Sequence, residues 1–185
     1  MSMICVNLKP HLAALAACVL LSSTGAAEEA PPELLERLKT ATEAEAPRVA
    51  REVETIWARS GSAAMDLLLR RGREAIEEGE FAKAIEHLTA LTDHAPGFAE
   101  GYHARAEAYF RAELYGPALD DLELTLALNP LQYDAMFGLA TMFREFGNLR
   151  RAAELYRKVL EVHPNHAQAA TALEQLKRDG IGREL

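Results

Sequence analysis

MDLLLRRGREAIEEGEFAKAIEHLTALTDHAPGF (65–98), AEGYHARAEAYFRAELYGPALDDLELTLALNPLQ (99–132) and YDAMFGLATMFREFGNLRRAAELYRKVLEVHPNH (133–166) follow one another without a gap. Each is 34 residues long, and Pro96, Pro130 and Pro164 hold the same place in each. A fixed period of this length marks a repeat architecture, in which each unit buries its apolar face only against its neighbours. Such an array offers a long surface rather than a pocket for chemistry. Inside each block two apolar runs at helical spacing flank a short turn. Gly79 and Gly147 fall in that turn in the first and third blocks, where a left-handed residue commonly ends a helix. The second block has Glu113 there and Gly116-Pro117 slightly later, so its turn is expected to be built differently.

On the N-terminal side, Pro31-Pro32 suits the entry to a helix in which Leu34, Leu35, Leu38 and Ala41 are spaced as one face. Pro47 starts a second helix with Val49, Val53, Ile56 and Trp57 on its apolar side. Ser60-Gly61-Ser62 ends this pair, and Ser62 is a candidate N-cap for the next helix. Residues 28–61 therefore read as a linker and a divergent helical hairpin, expected to cover the exposed edge of the first block. Residues 62–185 carry the three blocks and, at 167–178, a capping helix whose Ala169, Ala170, Leu173 and Leu176 shield the last block from water. The fold class is all-α, an α-solenoid of antiparallel helix pairs.

The chain has 185 residues, enough for one domain, with 49% hydrophobic and 26% charged residues. Its net charge of −8 and the lack of any basic run argue against nucleic acid, since phosphate binding needs clustered Lys and Arg. Residues 1–27 read as an export signal. Lys9 precedes the apolar run LAALAACVLL (12–21), and Ser-Ser-Thr-Gly-Ala-Ala then supplies small residues for cleavage after Ala26 or Ala27. Ten helical residues span about 15 Å, half of a hydrocarbon core of roughly 30 Å, so no stable transmembrane span is expected in the mature chain. A second reading is open. Leu15-Ala-Ala-Cys18 resembles the lipobox of bacterial lipoproteins, whose cysteine is acylated, although few apolar residues precede Cys18. Cys5 and Cys18 are the two cysteines, so a chain cleaved after Ala26 or Ala27 has no disulfide and no Cys-based metal site.

The three blocks resemble tetratricopeptide repeats. The resemblance rests on small pairs where the two helices of a unit touch: Gly72 with Ala84, Ala106 with Ala118, and Ala140 with Ala152. Large residues fill the gaps around them: Leu68, Tyr102 and Met136, then Phe81, Tyr115 and Leu149, then Leu88, Leu122 and Tyr156. Arg71 and Arg105 depart from the pattern, standing where the family prefers an apolar residue. In this family the first helix of each repeat lines a concave groove that takes a peptide or a helix. Carried onto this chain, the groove residues are Asp66, Leu69, Arg73 and Ile76, then Glu100, His103, Glu107 and Phe110, then Asp134, Phe137, Thr141 and Arg144, with Gln168 and Thr171 from the cap. The resemblance implies a protein or peptide partner, one with a few basic groups and one or two apolar anchors. Family members that grip a chaperone's C-terminal carboxylate use Lys, Asn and Arg at inward sites. This chain has Leu69, Arg73, Ala104, Asp134 and Gly138 there, so that clamp is not expected.

Signatures of catalysis are sparse. There is no glycine-rich phosphate loop, no Gly-x-Ser-x-Gly and no His-Glu-x-x-His. His163 and His166 stand in an inter-repeat turn with no third ligand in view, and Asp120-Asp121 diverge by about 100° on a helix, too far apart to share a proton. No enzyme activity, cofactor or metal is expected. The reading is an exported, periplasmic interaction module or scaffold. Two alternatives are a lipoprotein adaptor held through Cys18 and a binder of a small envelope ligand such as a peptidoglycan fragment, with His103, Phe110 and Phe137 as its floor.

Overall fold

Residues 29–178 are described by a computed structural model, and among them nine α-helices account for the regular structure. The segment expected to be an export signal, its expected cleavage point and Cys18 lie outside the described residues. The helices are α1 (Pro32–Thr40), α2 (Ala46–Trp57), α3 (Ala63–Glu77), α4 (Phe81–His94), α5 (Ala99–Arg111), α6 (Tyr115–Leu128), α7 (Tyr133–Glu145), α8 (Leu149–Val162) and α9 (Ala167–Arg178). Consecutive helices from α3 to α9 pack on one another, so each block is a hairpin and the hairpins stack. None of the described helices is long and apolar enough to cross a membrane.

Small residues set the helix spacing. Ala84, Ala106, Ala118, Ala140 and Ala152 are no more than 1% exposed. A Cβ added to Gly72 would stand 2.5 Å from Cδ2 of Leu88, which is itself fully buried and has nowhere to go. Glycine there is a packing requirement.

The turns inside the three blocks are alike, contrary to the expectation for the second. Gly79, Glu113 and Gly147 all adopt a left-handed backbone, with φ of 77°, 61° and 76°. In each case the residue's N–H bonds back to Ile76, Phe110 or Arg144, and the next N–H reaches Ala75, Tyr109 or Phe143 at 2.7–2.9 Å. Backbone geometry wins over side-chain preference here, at a cost of about 1 kcal/mol for a residue with a Cβ.

Arg105 is also explained. It forks onto Asp121 of α6 at 2.7 and 2.9 Å and reaches Thr92 of α4 at 2.7 Å, while Tyr102 and Tyr109 flank its guanidinium. The polar side chain at an apolar position thus brings its own partners from both neighbouring helices.

The hairpin α1–α2 departs most from expectation. Its buried face (Leu34, Leu38, Val49, Val53 and Trp57) shares a core with Tyr133 and Met136 of α7, Tyr156, Val159 and Val162 of α8, and α9. It does not chiefly shield the first block; it reaches the far end of the array. Glu45 accepts hydrogen bonds from the N–H and hydroxyl of Thr42 at the start of α2. At the other end Ser62 makes no side-chain cap; instead Asp66 accepts from the N–H and hydroxyl of Ser60 at 2.8 and 2.6 Å, fixing the exit from α2.

Candidate functional site

The residues singled out as a groove fall into three groups, with Glu107 and Phe110 standing apart. Leu69 and Ile76 are only 3% and 4% exposed and sit in the core between the first two hairpins, packed with Phe98, Ala104 and Ala108. They face the next repeat rather than a partner, a correction to the expected lining. Asp66 is committed to Ser60.

The second group forms a network that joins the first two repeats and ends at the turn into the third. Glu100, 5% exposed, accepts hydrogen bonds from Arg73 of α3, from His103 Nδ1 one turn along α5 at 3.2 Å, and from Gln132 Nε2 at 2.6 Å. Burial opposes charge on Glu100, yet His103, Arg73 and Gln132 outweigh it and hold the carboxyl below its usual range. Burial likewise pulls His103 towards neutrality, but Glu100 and then Asp134 overcome it and raise its pKa. Arg73 remains partly open to solvent. Glu100 is satisfied by Arg73 and His103 of the same surface, so acid and base are taken up together there, while Asp66 keeps its charge beside the neutral Ser60.

The third group is at the far end. Phe137 leans against Tyr156 and His166 at ring-centre distances of 5.6 and 5.0 Å. With Arg144 of α7 and Ala167, Gln168, Thr171, Ala172 and Gln175 of α9 it lines a shallow cleft of about 330 Å³. Thr141 bonds back to the Phe137 carbonyl at 3.0 Å and lies 3.2 Å from the Tyr156 hydroxyl. Asp134 faces His166 Nε2 at 3.7 Å. His166 Nδ1 in turn accepts from the Ala169 N–H and caps α9.

Glu107 is exposed and lies 3.9 Å from Arg111. Phe110 does not join Phe137. Its ring packs edge-on against Tyr115, 5.7 Å away, so the floor proposed for a small envelope ligand is not assembled. Among the described residues no three His, Asp or Glu side chains are gathered as a metal site needs.

Sequence reasoning overlooked two features. One is a hollow of about 770 Å³ between α1–α2 and the inter-repeat turns, walled by Leu35, Trp57, Phe98, Leu128 and Leu131. The other is the seat of the hairpin at Tyr133. Its ring meets Trp57 at 5.3 Å and His163 at 5.2 Å, and its hydroxyl donates to Glu54 at 2.8 Å. Burial, then Glu54, push the phenol well above its ordinary pKa. Asn165 adds a bond from its amide to the Ala41 carbonyl at 2.8 Å. The aromatic at 133 was the available signal, because the equivalent positions are Met65 and Ala99.

Residues 134–166 match the family model described as tetratricopeptide repeat. A TPR repeat-containing protein of Rhizobium etli is 28% identical over 131 residues, which cover 71% of this chain and 64% of that protein. Mouse sperm-associated antigen 1 is 31% identical over 109 residues, 59% of this chain but 12% of that protein. The solved first TPR of Spaghetti (RPAP3), bound to the HSP90 peptide SRMEEVD, superposes with a TM-score of 0.61 at 27% identity, covering 64% of this chain and 94% of that one. The chain thus spans under two thirds of these two relatives' lengths.

Proposed function

We propose that this chain, a tetratricopeptide-repeat protein, is an exported periplasmic interaction module that holds a segment of another polypeptide along its concave face. The observation that carries this reading is the cleft between α7 and α9. There Phe137 offers an apolar anchor, and Arg144, Gln168, Thr171 and Gln175 form a polar rim, the usual make-up of a peptide-binding hot spot. Arg73 and His103, both oriented by Glu100, extend the surface towards the first repeat. The RPAP3 domain holds an acidic HSP90 peptide. Here Leu69 and Ala104 are buried where clamp residues would stand, so the contact is with the interior of a segment rather than a terminal carboxylate.

The proposed role is that of a scaffold without catalysis. Affinity capture on the purified protein followed by mass spectrometry identifies the partner. Phe137→Ala is expected to weaken that capture about tenfold or more. Undiminished capture by Phe137→Ala and Arg144→Ala removes the groove assignment. Export is tested separately by sequencing the mature N-terminus: a chain beginning near Glu28 supports cleavage after Ala26 or Ala27. Palmitate incorporation lost in Cys18→Ala would support the lipid-anchored form instead.

A further inference from the structure

Because successive helices are antiparallel, the ends of α3, α5, α7 and α9 and the starts of α4, α6 and α8 share one edge of the stack. This edge is left in water. Phe146 is 60% exposed, Leu114 47% and Tyr115 38%. Tyr115 links the second turn to the third, its ring edge-on to Phe146 at 5.5 Å. Large apolar side chains gathered in solvent mark an interaction surface.

Charge along the same edge is ordered. The first turn is acidic, with Glu77, Glu78 and Glu80 against Lys83, which Glu80 already holds at 2.6 Å. The second turn carries Arg111 and Glu113, and the third carries Glu145 and Arg150. The end of α9 is basic, with Arg178 beside a Lys177 bound to Glu174. The aromatic ridge lies between the second and third turns.

We propose that this edge is an isologous interface that pairs two copies of the chain antiparallel, with the two-fold axis through the Tyr115–Phe146 ridge. A two-fold there sets the second turn of one copy against the third turn of the other. Glu113 then meets Arg150, and Arg111 meets Glu145. One step further out, the acidic first turn meets the basic end of α9. Both steps join opposite charges, and a two-fold contact requires this kind of self-complementarity. It also accounts for Glu113. Glycine would sit there without strain, as at positions 79 and 147, but it would remove the carboxylate that faces Arg150. Strain retained at one turn of three is a mark of a functional position.

The test is sedimentation equilibrium on the purified protein from low micromolar to ~200 µM, together with circular dichroism of each variant. The wild type is expected to dimerise, and Phe146→Ser to weaken dimerisation about tenfold or more while folding normally. Glu113→Lys and Arg150→Glu should each weaken it, and the double variant should recover it. Glu113→Gly should weaken the dimer while raising the melting temperature of the monomer. A chain that stays monomeric throughout, a dimer indifferent to Phe146→Ser, or a charge swap without recovery would each overturn the interface. Retained partner capture by Phe146→Ser keeps this edge distinct from the concave face.

Discussion

The stack has two edges, and the chain treats them oppositely. At the inter-repeat turns, Tyr133 is buried under a hairpin that the same chain supplies, its ring against Trp57 of that hairpin. At the intra-repeat turns, Tyr115 and Phe146 make a comparable ring contact with no cover. One edge has its aromatic contact covered by the molecule itself, although Leu128 and Leu131 beside it stay exposed, and the other leaves its aromatic pair in water. The period-34 pattern is blind to this difference, because an aromatic at a turn looks the same whether covered or bare.

Truncation separates the edges most sharply. Trp57→Ala is expected to destabilise by about 3–5 kcal/mol, since a buried aromatic leaves a void that its neighbours cannot refill; thermal or urea unfolding measures this. If the loss is under about 1 kcal/mol, the hairpin is not the cover described. Tyr133→Phe keeps the ring and loses the hydroxyl's bonds to Glu54 and, at 3.4 Å, to the Ala50 carbonyl, so about 1 kcal/mol is expected in the same measurement. Glu113→Gly relieves the left-handed backbone and should stabilise the isolated chain by about 1 kcal/mol. Phe146→Ala, on the bare edge, should change monomer stability by no more than about 0.5 kcal/mol.

Acid should perturb the covered edge more gently. His163, in contact with Tyr133, is buried with its Nδ1 unbonded; burial first, then His166, lower its pKa, with Asp134 opposing. A lowered pKa means that its neutral form supports the fold above the ordinary histidine value of about 6.5, and that this support is lost as pH falls. His103 has a raised pKa and acts in the reverse sense, supporting the fold below about 6.5 and losing that support as pH rises through its folded value. Trp57 is the chain's single tryptophan, so its emission reports on the hairpin alone. A red shift between pH 7 and 5 that His163→Phe abolishes is the expected result. An unchanged shift in that variant places the acid response elsewhere.

The helices of the repeats were legible, because their contacts are local and repeat every 34 residues. The small pairs, the proline positions and the capping helix all follow from that pattern. Three things were not legible, for separate reasons. Leu69 and Ile76 sit at positions the resemblance assigns to the groove, but their apolar side chains gain more by turning into α5. The turn at Glu113 defies residue preference because the packed helices on either side dictate its path. The hairpin's destination depends on partners more than seventy residues away, such as Tyr133 for Glu54, which no local spacing encodes. Of the expected groove, Phe137 and Arg144 gather in one cleft with Gln168 and Thr171, and Arg73 and His103 meet at Glu100. Phe110 belongs to the open edge instead.

The bond between Asn165 and Ala41 joins residues 124 positions apart. A ribosome adding about 5–20 residues per second needs roughly 6–25 s to make that span. For that interval Leu34, Leu38, Val49 and Val53 have been synthesised but their seat on α8 and α9 has not. The hairpin therefore waits with its oily side uncovered, and synthesis of α9 is the event that closes the molecule.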